Sequence, residues 1–222
     1  MKFKRAVIEV NGGCNYSCGM CPQSSPGRSK NFLKKLSLKN FNTVLEQIGD
    51  VECIQLEGSG EATLMSNLPD YISLARKYSE NVNIFTNGFR LKGDYMKKCV
   101  DAGLTLARFS VIGYDKDSYI KMMNIDAFNI VKQNAIEMKN YGGNVASYHL
   151  ILDLEKEDWE IEQYKKNFIE PVQSQAMIWR QHNWSGMYDN PYQREGIRKT
   201  CGRPFADEIT VRAGGLDGKW GA

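Results

Sequence analysis

The chain has 222 residues and a formal net charge of +3, with 42% hydrophobic and 25% charged residues, which is an ordinary composition for a globular domain. Lys and Arg are scattered among Asp and Glu, so we expect no nucleic-acid partner. No apolar run approaches the ~20 residues of a membrane span, and the segment after the basic start is too short and too charged for a signal sequence. We therefore expect a cytoplasmic protein.

Strand-like and helix-like patterns alternate along the chain. Five segments carry apolar residues at helical spacing, begin at polar caps or end at glycines, and predict helices. They run from Ser37 with Phe41, Val44, Leu45 and Ile48 inward; from Asn67 with Tyr71, Leu74, Ala75 and Tyr78 inward; over 96–100; from Asp126 with Phe128, Val131, Ala135 and Met138 inward; and over 159–168. Six short apolar segments predict strands: 6–10, 53–56, 82–85, 104–111, 146–152 and 176–179.

This alternation predicts a parallel sheet wrapped by helices, because parallel strands need long crossover connections. The pattern leaves open whether the sheet is a doubly wound open sheet or a full or partial barrel. In either fold the chemistry belongs at the carboxyl ends of the strands. Polar or glycine-rich segments follow or end the first four strands there, at residues 11–21, 57–61, 86–88 and 110.

The six cysteines are unevenly placed. Three of them lie within the eight residues from Cys14 to Cys21, whereas Cys53 and Cys99 fall on a strand and a helix pattern and are predicted to be core thiols. A disulfide framework is typical of short secreted chains, so the crowded three are better explained as metal ligands.

The Cys-x3-Cys-x2-Cys spacing lets one short loop hold three corners of an iron–sulfur cube. No fourth ligand lies nearby, and three protein ligands plus an open position are typical of reactive metal sites. The alternatives are a zinc site completed by His149 or His182, and three unrelated thiols. We expect His149 to be a partly buried, hydrogen-bonded histidine.

The segment Cys14-Asn-Tyr-Ser-Cys18-Gly-Met-Cys21-Pro resembles the cluster loop of the radical S-adenosylmethionine (SAM) superfamily. The resemblance spans roughly residues 5–180 and implies a partial (β/α)6 TIM-like barrel. It implies that Cys14, Cys18 and Cys21 bind three irons of a [4Fe-4S] cluster, with SAM on the fourth. It also implies reductive cleavage of SAM, hydrogen abstraction from an unknown peptide, sugar or small molecule, and an electron donor such as flavodoxin or ferredoxin. No catalytic residue is assigned.

The same resemblance implies a set of SAM contacts. Residues 58–61 are similar to the family's Gly-Gly-Glu segment, which contacts the SAM amino group, although Ser59 replaces the second glycine and Ala62 stands where proline is frequent. Thr86-Asn-Gly and the end of the fourth strand resemble positions near the SAM carboxylate and ribose. Met20 and Leu152 are candidates for contacting adenine, Leu152 being more simply a core residue. The implied contacts are Met20, Gly58, Ser59, Gly60, Glu61, Asn87, Ser110 and Leu152.

The pattern changes past residue 183. The segment 184–203 has little periodicity, and 209–220 predicts a strand, a Gly/Asp turn and the start of a returning strand, a short hairpin-like extension. Cys201-Gly-Arg-Pro-Phe resembles the opening of a SPASM-type extension, in which further cysteines bind auxiliary clusters; an isolated loop thiol is the equal alternative. We divide the chain into a core at 1–183 and the start of such an extension at 184–222, and expect the natural polypeptide to be longer.

Two other function classes remain open. A non-catalytic iron–sulfur or zinc-binding module would need a fourth protein ligand and would not bind SAM. A sugar- or nucleotide-binding α/β protein would have incidental cysteines. His182, beyond the sixth strand, is a candidate for contacting substrate.

Overall fold

The computed structural model describes residues 3–24, 33–180 and 207–213. Seven parallel strands form one sheet in the order β6-β5-β4-β3-β2-β1-β7. The strands are β1 (Arg5–Ile8), β2 (Cys53–Leu56), β3 (Val82–Thr86), β4 (Leu106–Ser110), β5 (Val145–Ile151), β6 (Gln175–Arg180) and β7 (Glu208–Val211).

Helices occupy each connection from β1 to β6. They are α1 (Leu38–Ile48), α2 (Leu68–Ala75), α3 (Gly93–Asp101), α4 (Lys116–Met123), α5 (Phe128–Asn140), α6 (Glu157–Tyr164) and α7 (Glu170–Val172), with one π-helical turn between α6 and α7. Ser37 caps α1, as its sequence predicts, by accepting a hydrogen bond from the Asn40 N–H.

Strands β1 to β6 lie side by side in chain order. A doubly wound sheet reverses its strand order at a switch point, whereas an unbroken order with right-handed crossovers keeps the helices on one face. The predicted α/β fold of the partial (β/α)6 TIM-like barrel type is thus confirmed. Within the described residues the sheet is not closed, since β6 and β7 are its two edges.

The two faces of the sheet differ in character. On β4, Ala107 and Phe109 are fully buried and belong to the apolar core beneath the helices. The alternate residues Arg108 and Ser110 point to the opposite, inner face and are only partly buried. The inner face also carries the polar side chains of Gln55 and Asn83, so it is not the apolar packed interior usual for a barrel.

Some helix predictions need correction. Helix α4 was not predicted, and α5 begins at Phe128 rather than at Asp126. The Asp126 carboxylate instead forms an ion pair of 2.9 Å with Lys116, at the start of α4. Asn67 precedes α2 as predicted, but its side chain makes no capping hydrogen bond.

The strand predicted near residue 209 is present as β7. It pairs in parallel with β1, Ala6 opposite Ile209, and therefore extends the sheet of the core. The predicted returning strand and Cys201 lie outside the described residues. In the described part of the chain, no helix is both long and apolar enough to cross a membrane.

Candidate active site

The three-cysteine loop follows β1 at the carboxyl edge of the sheet. Its first turn is held by Asn11, whose side-chain amide donates to the carbonyls of Gly13 (2.9 Å) and Glu61 (2.8 Å). The Gly12 N–H donates to the Lys34 carbonyl over 2.9 Å. The loop is thus anchored to the segment after β2 and to the segment before α1.

Cys14 is exposed, whereas Cys18 and Cys21 are half-buried, and the Cys21 N–H donates to the Cys18 carbonyl over 3.0 Å. Burial, with the neighbouring Cys21 and Cys14 thiolates, raises the pKa of Cys18 to about 12. Although part of the Cys14 side chain is exposed, the protein around its thiol group removes enough water to raise the pKa of Cys14 as well. Thiols kept protonated in this way lose their protons when a metal binds, which couples metal binding to proton release.

The outer side of the loop packs against α4. The Gly19 N–H donates to the Met122 carbonyl (3.2 Å), and the Cys18 Sγ lies 3.8 Å from the Met123 Sδ. The Tyr119 hydroxyl lies 3.4 Å from that of Tyr16, inside the loop. The helix missed by the sequence analysis therefore forms one wall of the cysteine loop.

The segment after β2 lies directly against this loop. The Glu61 N–H donates to the Gly13 carbonyl over 2.8 Å. A Cβ on Gly60 would lie 2.1 Å from the Asn11 carbonyl oxygen and 2.5 Å from the Gly12 carbonyl carbon. Only glycine permits this approach of two backbones.

The carboxylate of Glu61 is buried and accepts four hydrogen bonds. Oε1 accepts from the Thr63 N–H (3.0 Å) and hydroxyl (2.7 Å) and from the Thr86 hydroxyl (2.8 Å), and Oε2 accepts from the Asn87 N–H (2.7 Å). Burial raises the pKa of Glu61, while these hydrogen bonds lower it. Glu61 thereby joins the loops after β2 and β3, and Oε2 retains capacity for one further donor.

Asn87 reaches the cysteine loop from β3. Its amide nitrogen donates to the Asn15 side chain (2.8 Å) and lies 3.9 Å from the Cys14 Sγ, while its Oδ1 accepts from the Phe89 N–H (3.1 Å). The next residue, Gly88, has a φ of 75°, and a Cβ there would lie 2.3 Å from the Phe109 ring.

The other predicted contacts surround this centre less closely. Ser110 ends β4 on the inner face, opposite Tyr148 of β5. Met20 and Leu152 are partly buried and pack against the core, and the Leu152 N–H donates to Glu160 over 2.9 Å. The structure thus brings Gly60, Glu61 and Asn87 against the cysteine loop, while Gly58 lies against Glu9. Met20 lies within the cysteine loop itself, and among the described residues no hydrogen bond joins Ser110 or Leu152 to that loop.

Glu9, Ser59 and Arg212 form a contact that the sequence analysis missed. Glu9 lies at the end of β1 and is 1% exposed, and its Oε2 accepts from the Ser59 N–H over 2.5 Å. The Arg212 guanidinium donates to the Glu9 Oε2 (3.3 Å) and the Ser59 hydroxyl (3.2 Å). The available signal was a carboxylate in an otherwise apolar strand.

The remaining candidate ligands lie elsewhere or are occupied. His149 is fully buried, more so than expected, and its Nε2 lies 2.8 Å from Glu160. Cys99 is a buried core thiol as predicted, but Cys53 is only half-buried, at the amino end of β2, where its Sγ accepts from Asn83 (3.2 Å). His182 lies outside the described residues.

The donor set suits an iron–sulfur cluster better than zinc, because the Cys-x3-Cys-x2-Cys spacing lacks the two Cys-x2-Cys-like pairs usual for zinc. In the described part of the chain no three His, Cys, Asp or Glu side chains converge closely enough to hold a metal ion as placed. The fit of a cluster therefore rests on thiol spacing and on the backbone packing around the loop.

Comparison with known proteins agrees with these features. A family model described as the radical SAM superfamily matches residues 8–166, more than half of the chain. The 7,8-dihydro-6-hydroxymethylpterin dimethyltransferase of Methanocaldococcus jannaschii is 31% identical over 138 residues, which cover 60% of this chain and 26% of that protein. A probable GTP 3',8-cyclase of Saccharolobus solfataricus is 30% identical over 125 residues, covering 56% of this chain and 40% of that protein.

The chain therefore spans less than half of the length of either relative. Among solved structures, Streptococcus suis SuiB bound to precursor peptide SuiA is similar with a TM-score of 0.66. It is 14% identical, and the match covers 84% of this chain and 41% of that one. At this identity the similarity shows the fold alone.

Proposed function

Because the chain belongs to the radical SAM superfamily, we propose that it is the core of an enzyme that cleaves SAM reductively and abstracts hydrogen from a substrate. The chain spans only part of the length of its relatives, so family membership alone does not establish this activity for it, and the activity is a proposal.

The observation that carries the proposal is the convergence of three segments at one edge of the sheet. Glu61 donates its N–H to the cysteine loop over 2.8 Å, and Asn87 lies 3.9 Å from the Cys14 Sγ. A cofactor bound to an iron of this loop would therefore meet the segments after β2 and β3.

Each part of the site has a proposed task. Cys14, Cys18 and Cys21 hold a [4Fe-4S] cluster, and Gly58 to Glu61 and Asn87 bind the amino and carboxylate groups of SAM. When bound, the cluster supplies the electron that converts SAM to methionine and a 5′-deoxyadenosyl radical. Ser110 faces the same edge and suits the polar part of SAM, while Met20 and Leu152 suit adenine.

The alternative of a non-catalytic metal module lacks support among the described residues. It needs a fourth protein ligand, but Cys53 lies at the amino end of β2, away from the cysteine loop at the carboxyl ends of the strands, and Cys99 is buried in the core. His149 is engaged by Glu160.

The substrate is proposed only as a peptide, sugar or small molecule, with flavodoxin or ferredoxin as electron donor. Residues 184–222 remain a proposed start of a SPASM-like extension. Because Glu208–Val211 pairs in parallel with β1, this part of the segment is also a strand of the core sheet.

The test is anaerobic reconstitution followed by iron and sulfide analysis, addition of SAM and dithionite, and detection of 5′-deoxyadenosine. We expect about four irons per chain and formation of 5′-deoxyadenosine. Replacement of Cys14, Cys18 or Cys21 by Ala should abolish the cluster, whereas Cys99→Ala should keep it. A complete cluster without SAM cleavage would sink the proposal.

A further inference from the structure

Three ionisable side chains lie on the inner face of the sheet, and only one of them, Glu9, touches a proposed SAM contact, through the Ser59 N–H. Glu9 follows β1, Glu57 follows β2, and Arg108 lies in the middle of β4; we call them the inner charged cluster. Buried atoms of all three make no hydrogen bond: Glu9 Oε1, Glu57 Oε2, and Arg108 Nε and Nη1. Each such atom costs about 1–3 kcal/mol if it stays unsatisfied, so ordered water or a polar group of a ligand is the expected partner.

Arg108 is the cation of this cluster. Its guanidinium stacks over the Phe85 ring at 5.1 Å from the centroid, which fixes its plane but satisfies none of its N–H donors. Burial lowers the pKa of Arg108, while Cys53 and Glu57 raise it. Among the described residues it forms no ion pair, even though the Glu57 charge is near enough to influence it.

The strands beside Arg108 carry aromatic side chains on the same inner face, and these lead to solvent at β6. Phe85 meets the Tyr148 ring edge-on at 6.0 Å, and Tyr148 meets Trp179 of β6 at 5.8 Å. Trp179 is 55% exposed. A ligand that enters along these rings would reach the free donors of Arg108.

We propose that Arg108 binds a single anionic oxygen group, a carboxylate or a monophosphate, of the substrate. A guanidinium with free N–H donors in a partly buried site is the preferred partner of such groups. The nearby Glu57 carboxylate would repel a polyanion but accept hydrogen bonds from hydroxyl or ammonium groups beside the anion. The identification of the anion as part of the substrate rests on the proposed function, whereas the presence of an anion-binding site at Arg108 does not.

The test is anion-dependent thermal unfolding of the reconstituted chain at constant ionic strength, with sodium acetate and inorganic phosphate as probes and chloride as reference. A ligand that binds the folded state raises the melting temperature by mass action. We expect saturable stabilisation by acetate, by phosphate, or by both, and the stronger of the two identifies the substrate's group. Arg108→Gln should weaken this binding at least tenfold.

Two further variants make the test specific. Glu57→Gln removes the negative charge near Arg108 and should strengthen binding of the same anion severalfold. If the charged side chains had only a structural role, this substitution would not strengthen anion binding. Arg76→Gln removes one exposed guanidinium from the outside of the barrel and should leave anion binding unchanged.

Equal anion binding by Arg108→Gln and the unchanged chain, or no saturable binding by the latter, would overturn the inference. So would an Arg108→Gln chain that is less stable by the same amount at every anion concentration. The proposed function fails separately, through absence of 5′-deoxyadenosine from a chain that still binds the anion at Arg108.

Discussion

At the scale of single residues, two buried carboxylates organise the edge of the sheet that carries the candidate site. Glu9 accepts from the Ser59 N–H, and Glu61 accepts from the Asn87 N–H over 2.7 Å. Backbone donors held in this way fix the loops without a ligand. A preorganised site of this kind lowers the cost of ordering when the ligand arrives.

Replacing Gly60 by Ala tests the close approach of the two loops. The new Cβ would lie within 2.1–2.6 Å of backbone atoms of Asn11, Gly12 and Gly13, so the cysteine loop must move. We expect at least half of the iron to be lost after reconstitution, with a stability cost of about 1–3 kcal/mol. Gly19→Ala is the matched control in the same loop, because nothing lies within 4 Å of its Cβ. Full iron in Gly60→Ala would contradict this account of the site.

Residue types and spacing could predict the cysteine loop and residues 58–61, because that chemistry is local in sequence. The contacts by which Glu9 and Glu61 hold neighbouring segments could not be predicted in the same way. Glu9 meets Arg212 across 203 residues and Glu61 meets Asn87 across 26. Such contacts depend on how the strands lie beside one another.

At the scale of elements, strand β5 is joined to helix α6 by one buried pair. His149 Nε2 lies 2.8 Å from the Glu160 Oε1, and Glu160 also accepts from the N–H groups of Leu152 (2.9 Å) and Asp153 (3.2 Å). The carboxylate thus fixes the turn at the end of β5. The His149 ring also stacks on Tyr164 of α6 at 4.4 Å.

Replacing Glu160 by Ala should therefore loosen this connection. One buried donor (His149) and two partly buried donors (Leu152 and Asp153) would lose their acceptor, for which we expect a loss of about 3 kcal/mol in the free energy of unfolding in urea. Amide exchange of residues 152–164 should become faster than in the rest of the sheet. Glu162→Ala on the same helix removes only an exposed contact of 3.9 Å to Lys165 and should cost less than about 0.5 kcal/mol. If the two variants were equally stable, the pair would have no structural role.

All six strands of the core were predictable because apolar runs between turn residues are a strong local signal. Helix α4, which has eight residues, was not predicted. Asp126 was assigned as a helix cap, but α5 begins at Phe128 and the exposed Asp126 carboxylate is ion-paired with Lys116. Local propensity cannot reveal a partner across a turn.

At the scale of the whole molecule, the last described segment is placed beside the first strand. The pairing of β7 with β1 puts Arg212 next to Glu9 and Ser59 at the candidate site. At the other end of the same two strands, Arg5 pairs with Glu208 at 3.4 Å. The sequence predicted the strand at 209, but not its neighbour, because parallel pairing leaves no local trace when the connecting segment is long.

Comparing Arg212→Ala with Arg5→Ala separates the two tasks of β7. Each change removes one ion pair between β1 and β7, and the arginine side chains are similarly exposed, 51% and 53%. Arg212→Ala also leaves the buried Glu9 carboxylate without a cation and frees the Ser59 hydroxyl, so the segment after β2 should become mobile. We expect equilibrium dialysis to give a severalfold weaker SAM affinity for Arg212→Ala and an unchanged affinity for Arg5→Ala. An equal loss of SAM affinity in both variants would mean that β7 supports SAM binding only by completing the sheet. No loss in either variant would mean that β7 has no part in SAM binding.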